Sequence, residues 1–238
     1  MEKKKTSVKT KVFNLLILDK SGSMDIIRKE AVNGYNETLG TIRAAQKKHI
    51  DIQEHFISLA MFCSCGIEMV YDKTPINDAK NLTLKQYIPC CCTPLFDAIG
   101  KTVNKLRSDV KDMEDAAVLV TIITDGEEND SREWSGPAIK KLIKECKDEG
   151  WMFSFIGAGE DVLNTAFTIS ITNTVLWEQT AKGTKDVFEH ENRAQNRYYD
   201  KMALCCSAPS ISFKERKNLR KKFSEEYYDE ESENKNNN

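Results

Sequence analysis

The chain has only three histidines, His49, His55 and His190, and none stands in a pattern with a serine or cysteine that would build a nucleophile and its base. It has no G-x-x-x-x-G-K-[ST] loop to cradle phosphates. It has no large excess of either charge: 35 basic against 37 acidic residues leave −2, so nothing global draws it to nucleic acid or to an anionic membrane. The longest early apolar run, 12–18, is broken by Asn14, ends at Asp19 and lacks a small-residue cleavage site. Neither a signal peptide nor a membrane anchor is expected, which makes the cytoplasm the default location. The eight cysteines (63, 65, 90, 91, 92, 146, 205 and 206) contain no C-x-x-C pair; in a reducing compartment they are expected as free thiols.

What the chain does have is length and alternation. Its 238 residues, 40% hydrophobic and 30% charged, suit one α/β domain with tails. Residues 12–18 (VFNLLIL), 55–62 (HFISLAMF) and 116–124 (AAVLVTIIT) are dense apolar runs of strand length, as expected for strands covered on both faces. Residues 67–71 suggest a short antiparallel edge strand turned back through Cys63–Gly66. Helical spacing marks 26–48, 95–110, 136–149 and 185–204, with shorter elements near 162–167 (helix), 151–156 and 174–177 (strands). Thr93 and Pro94 read as N-cap and first helical residue.

This order is the grammar of a doubly wound, mostly parallel central sheet with one antiparallel edge strand and helices on both faces. The expected division is a polar N-terminal segment over 1–10, a domain over 11–206 and a disordered charged tail over 207–238, where a basic block (216–222), an acidic block and an asparagine run follow one another.

In such sheets ligands sit beyond the carboxyl ends of the strands, where strand order reverses. Three junctions there carry oxygen donors. The first strand runs into Asp19-Lys20-Ser21-Gly22-Ser23, the 116–124 strand into Asp125-Gly126, and the loop before the 95–110 helix ends in Thr93. If the first and 116–124 strands are neighbours, Asp19 and Asp125 come side by side. Paired carboxylates are costly to desolvate, and a divalent cation between them removes that cost. Oxygen-only donors suit a hard ion such as Mg²⁺, with Mn²⁺ and Ca²⁺ as alternatives. The competing reading is that Ser21, Ser23 and Thr93 cap helices and Asp125 starts a turn.

The residues resemble a known family, the von Willebrand factor type A (VWA) domain, whose metal-ion-dependent adhesion site (MIDAS) is written D-x-S-x-S, then Thr, then Asp. The matching stretches are DKSGSM (19–24), TPLFDAIG (93–100) and TDGEEN (124–129), and the resemblance spans about Lys11 to Leu204. It is closest to stand-alone bacterial-type members. A bare D-x-S-x-S is weak; the same motif in this structural context is specific. The resemblance implies that Asp19, Ser21, Ser23, Thr93 and Asp125 hold the ion, with an open position for an acidic side chain of a partner protein. One departure is Cys91, which stands where related domains usually carry a small residue.

The expectation is therefore a non-enzymatic, metal-dependent protein-binding Rossmann-like domain, with no nucleic acid and no membrane as partner. Two alternatives remain. A Mg²⁺-dependent phosphoryl hydrolase would use Asp19 as nucleophile, but it would want a carboxylate at position 21, which is Ser21. A cysteine-based metal or redox module would use Cys63, Cys65, Cys90, Cys91 and Cys92, expected near the same sheet edge. Glu127, Glu128, Asn129 and Asp130 are read as a charged ring around the metal face or as solvated loop, and Trp134 as an exposed anchor or as packing.

Overall fold

The computed structural model describes residues 9–208 and 211–229. The expectations for 1–8 and 230–238 lie outside the described residues. Six strands form one sheet in the order β3-β2-β1-β4-β5-β6. They are β1 (Thr10–Asp19), β2 (Gln53–Cys63), β3 (Gly66–Pro75), β4 (Ala116–Thr124), β5 (Met152–Gly157) and β6 (Asn173–Leu176). Only β2–β3 is antiparallel; β1–β2, β1–β4, β4–β5 and β5–β6 are parallel. The helices are α1 (Arg28–Lys48), α2 (Leu95–Val110), α3 (Gly136–Asp148), α4 (Glu160–Thr168), α5 (Ala181–Ser207) and α6 (Phe213–Glu225), with a 3₁₀ turn over Gly22–Ile27.

The dense apolar runs are buried on both faces because alternate residues feed two cores. Leu16, Leu18, Leu119 and Ile123 point to α1 and α5, through Tyr35, Leu39, Phe188 and Tyr198. Leu15, Ile17, Val120 and Ile122 point to the other face, against Leu95, Ile99, Val103, Leu142 and Val162. This is the expected doubly wound sheet with helices on both faces. Among the described residues no helix is long and apolar enough to cross a membrane.

Two expectations are corrected. Thr93 makes no capping bond; Pro94 itself sits at the N-cap of α2, with φ −79° and ψ 66°. And the chain beyond residue 207 is not structureless over 211–229, because α6 packs there. Its start is a capping box: Ser212 Oγ accepts from Glu215 N at 3.3 Å, and Glu215 Oε2 accepts from Ser212 N at 2.8 Å. The basic block is not solvated along its length. Arg216 Nη1 and Arg220 Nη1 each donate to the buried Asp115 carboxylate at 2.9 Å, which Thr10 Oγ1 also reaches at 2.6 Å. After α6, Tyr227 and Tyr228 donate to the fully buried Glu191 at 3.0 and 2.6 Å. A charge run with buried opposite charge to meet it becomes part of the fold.

Candidate metal centre

Strands β1 and β4 are central neighbours, with Leu18 opposite Ile123, so Asp19 and Asp125 emerge together at their carboxyl ends. The chain leaves β1 toward β2 on one side and returns at β4 on the other, so this is the point where strand order reverses.

Asp19 is fully buried. Ser21 N donates to its Oδ1 at 2.6 Å, and Thr124 Oγ1 donates to its Oδ2 at 2.5 Å. Tyr87 OH donates to its backbone carbonyl. Burial pushes the Asp19 pKa up to about 6, against the lowering effect of those hydrogen bonds, and the neighbouring Asp125 raises it further. Burial also raises the Asp125 pKa, against hydrogen bonds from Ser23 and Gln179. Ser23 Oγ donates to Asp125 Oδ1 at 2.8 Å and lies 3.2 Å from Ser21 Oγ; Gln179 Nε2 donates to Asp125 Oδ2 at 2.8 Å.

Thr93 is held against this group through its backbone. Its N donates to Asn129 Oδ1 at 2.8 Å, and its carbonyl accepts from Asn129 N at 3.2 Å. A Cβ at position 126 would stand 2.9 Å from Thr93 Oγ1, so glycine there lets the hydroxyl approach without displacement. The loop before Thr93 is tied to the D-x-S-x-S loop by Gly22 N→Cys91 O at 3.0 Å and Cys90 N→Lys20 O at 2.8 Å. The capping reading fails for all three hydroxyls: neither the 3₁₀ turn nor α2 has a side-chain cap. The donor set is thus oxygen only, two carboxylates and three hydroxyls on three loops, with Asp19, Ser21 and Thr93 buried and Ser23 exposed. Two desolvated carboxylates with raised pKa values fit a hard cation.

The acidic residues after Asp125 divide by role. Glu128 accepts from the backbone N of Phe96, Asp130 and Ser131 at 2.7, 3.0 and 2.7 Å, and so holds its loop rather than facing a partner. Glu127 stays exposed. Trp134 packs on Gly100 and the α2–α3 core, which settles it as packing. Four contributors escaped sequence reading: Thr124, Tyr87, Gln179 and Asp97. Asp97 accepts from the backbone N of Arg132, Glu133 and Trp134 at 3.0, 2.9 and 2.8 Å. Burial raises its pKa, but these three donors more than offset that and hold it below the usual carboxylate range. Thr124 and Asp97 stand inside the TDGEEN and TPLFDAIG stretches, so a signal existed; Tyr87 and Gln179 carry none.

The cysteines expected near this edge are there. Cys63, at the end of β2, and Cys65 in the turn meet Cys90 and Cys91, with Cys63 Sγ 3.4 Å from Cys90 Sγ and Cys65 Sγ 3.2 Å from Cys91 Sγ. All eight cysteines are free thiols.

No family model and no curated protein matches the sequence. Solved structures do match in shape. The pilus adhesin SpaC from Lactobacillus rhamnosus GG superposes with a TM-score of 0.61 at 14% identity, over 81% of this chain and 31% of that one. The SpRpn10 VWA domain superposes with a TM-score of 0.54 at 12% identity, over 76% of this chain and 95% of that one. Proximal thread matrix protein 1 from the mussel byssus aligns at a TM-score of 0.49 and 13% identity, over 83% of this chain and 47% of that one. The chain spans less than half the length of the adhesin and of the byssus protein.

Proposed function

We propose that this chain, which has the fold of a von Willebrand factor type A domain, is a metal-dependent protein-binding module. Asp19, Ser21, Ser23, Thr93 and Asp125 would hold one divalent cation, Mg²⁺ by the hardness of the donor set, with Mn²⁺ and Ca²⁺ able to substitute. The observation that carries this reading is the three-loop oxygen cluster at the β1–β4 ends, whose hydroxyls are not used for capping. The cation would supply a ligand position for a carboxylate from a partner, in a contact strengthened where water is excluded. Ile26, three residues beyond Ser23, is 76% exposed and offers apolar contact area beside the site.

Turnover at Asp19 is disfavoured. The carboxylate is fully buried with both oxygens hydrogen-bonded, and residue 21 offers a hydroxyl rather than the second carboxylate a phosphoryl hydrolase would want.

The test has two arms. Calorimetric titration of chelator-stripped protein with Mg²⁺ and Mn²⁺ should give one site, abolished in Asp19→Ala and Asp125→Ala. Capture of a partner should need the cation and fail with EDTA or with Asp19→Ala. Stoichiometric metal binding untouched by either substitution would sink the reading, as would phosphatase turnover lost in Asp19→Ala.

A further inference from the structure

We propose a second metal site on this edge: a thiolate site for a soft cation of the zinc class, built by Cys63, Cys65 and Cys90 and closed by Cys91. It shares no ligand with the oxygen cluster and stands or falls separately from the function proposed above.

The placement comes from two arms of chain. One is the end of β2 with the turn after it, which carry Cys63 and Cys65; the other is the loop leading to α2, which carries Cys90 and Cys91. The sulfurs of Cys63, Cys65 and Cys90 lie within 4.8 Å of one another. The Cys63–Cys90, Cys65–Cys90 and Cys65–Cys91 separations are 3.4, 3.9 and 3.2 Å. A tetrahedral ion with metal–sulfur bonds of about 2.3 Å needs sulfurs about 3.8 Å apart, inside that range of distances.

The arms are held together without the sulfurs: Ser64 N donates to Cys92 O at 3.1 Å, and Cys92 N donates to Ser64 Oγ at 3.2 Å. Cys91 has φ 62°, in the left-handed region a non-glycine residue rarely takes. Its carbonyl accepts from Gly22 N while its thiol stands beside Cys65. Cys65 and Cys91 are exposed, so an ion can enter, and Cys63 is buried, so it can be held.

Binding would release the thiol protons to water and needs no oxidant. The same four sulfurs would be consumed by Cys63–Cys90 and Cys65–Cys91 disulfides, so the reduced chain is the one that binds the ion. The loop so braced runs on to Thr93, and through Cys90 N→Lys20 O it also contacts the D-x-S-x-S loop. Occupancy of the sulfur site would therefore stiffen one wall of the oxygen site.

The experiment uses the full chain, reduced and saturated with Mg²⁺, titrated with Co²⁺ and then with Zn²⁺ against a chromogenic chelator. The expected result is one Co²⁺ per chain, with a thiolate-to-cobalt charge-transfer band and tetrahedral visible bands, displaced by Zn²⁺. Cys65→Ser and Cys91→Ser change exposed residues and should fold; Cys63→Ser and Cys90→Ser complete the set. Each should weaken Zn²⁺ by more than the about 10–100-fold typical of losing an outer hydrogen-bond partner. Cys205→Ser should leave the band intact. No charge-transfer band, Zn²⁺ affinity unchanged in Cys65→Ser and in Cys90→Ser, or recovery of a metal-free Cys63–Cys90 disulfide from cells would each overturn the proposal.

Discussion

Ser23 Oγ donates to Asp125 Oδ1 at 2.8 Å, closing a gap of 102 residues between the loop after β1 and the loop after β4. The bond shows how the site is assembled. Each loop is short and local, and the parallel register of β1 on β4 brings the two together.

A cation bound only by the folded chain stabilises it by mass action. With free Mg²⁺ at 100 times its Kd the gain is about 2.7 kcal/mol, which for a domain of this size means a melting rise of about 5–10 °C. Differential scanning fluorimetry should show that rise in the native chain, reversal by EDTA, and no response in Asp125→Ala.

His55 gives the acid limb of stability. It is buried edge-on to Tyr199 at 4.8 Å, with Nε2 2.9 Å from Gln53 Oε1 and no partner at Nδ1 among the described residues. Burial lowers its pKa from 6.5 to about 3, and His49 adds to the effect. The unfolded chain takes up this proton near 6.5 and the folded chain only near 3, so stability is full above 6.5 and falls through that window. At pH 5 the loss from this group is about 2 kcal/mol. Asp19, with its raised pKa, works in the opposite sense between 3.8 and about 6, so the readout is a comparison. Between pH 7 and pH 5, urea unfolding of His55→Gln should lose about 2 kcal/mol less stability than the native chain, so that the Asp19 effect of opposite sign shows through; equal pH dependences would refute the assignment.

The C-terminal helix should be required for stability. Arg220→Ala removes one of two guanidinium partners of a carboxylate whose side chain is 1% exposed. Arg216 and Thr10 still compensate the carboxylate, so the loss is that of one charge-assisted hydrogen bond, about 1.5–3 kcal/mol. Chemical denaturation should register a loss of that order, and Arg220→Lys, with a single ammonium in place of the fork, should recover only part of it. A change below about 0.5 kcal/mol would mean that α6 is dispensable.

Gly100→Ala should disturb the metal face from behind. A Cβ at 100 would lie 2.2 Å from the Trp134 ring, which must then move. The loop that Asp97 holds by three backbone bonds moves with it. Overpacking costs about 1–3 kcal/mol. The variant should therefore lose stability and bind Mg²⁺ more weakly, although it changes no ligand.

The sequence by itself determined the element order, the two-sided burial of the strands and the positions of the five oxygen donors. These properties are written locally, in apolar runs of strand length, helical spacing and residues at strand ends. The span of α2, 95–110, could be read directly because its apolar stripe starts and stops with the helix. Tertiary structure alone decided the rest. Tyr87, Gln179 and the Asp115 partners of the basic block are joined to their sites across tens to a hundred residues, and no local pattern encodes such a pairing. A run of arginines and lysines reads as solvated until the fold supplies a buried carboxylate, and cysteines that the sequence brings only to one sheet edge are paired sulfur to sulfur once a hairpin turn and a loop are hydrogen-bonded side by side.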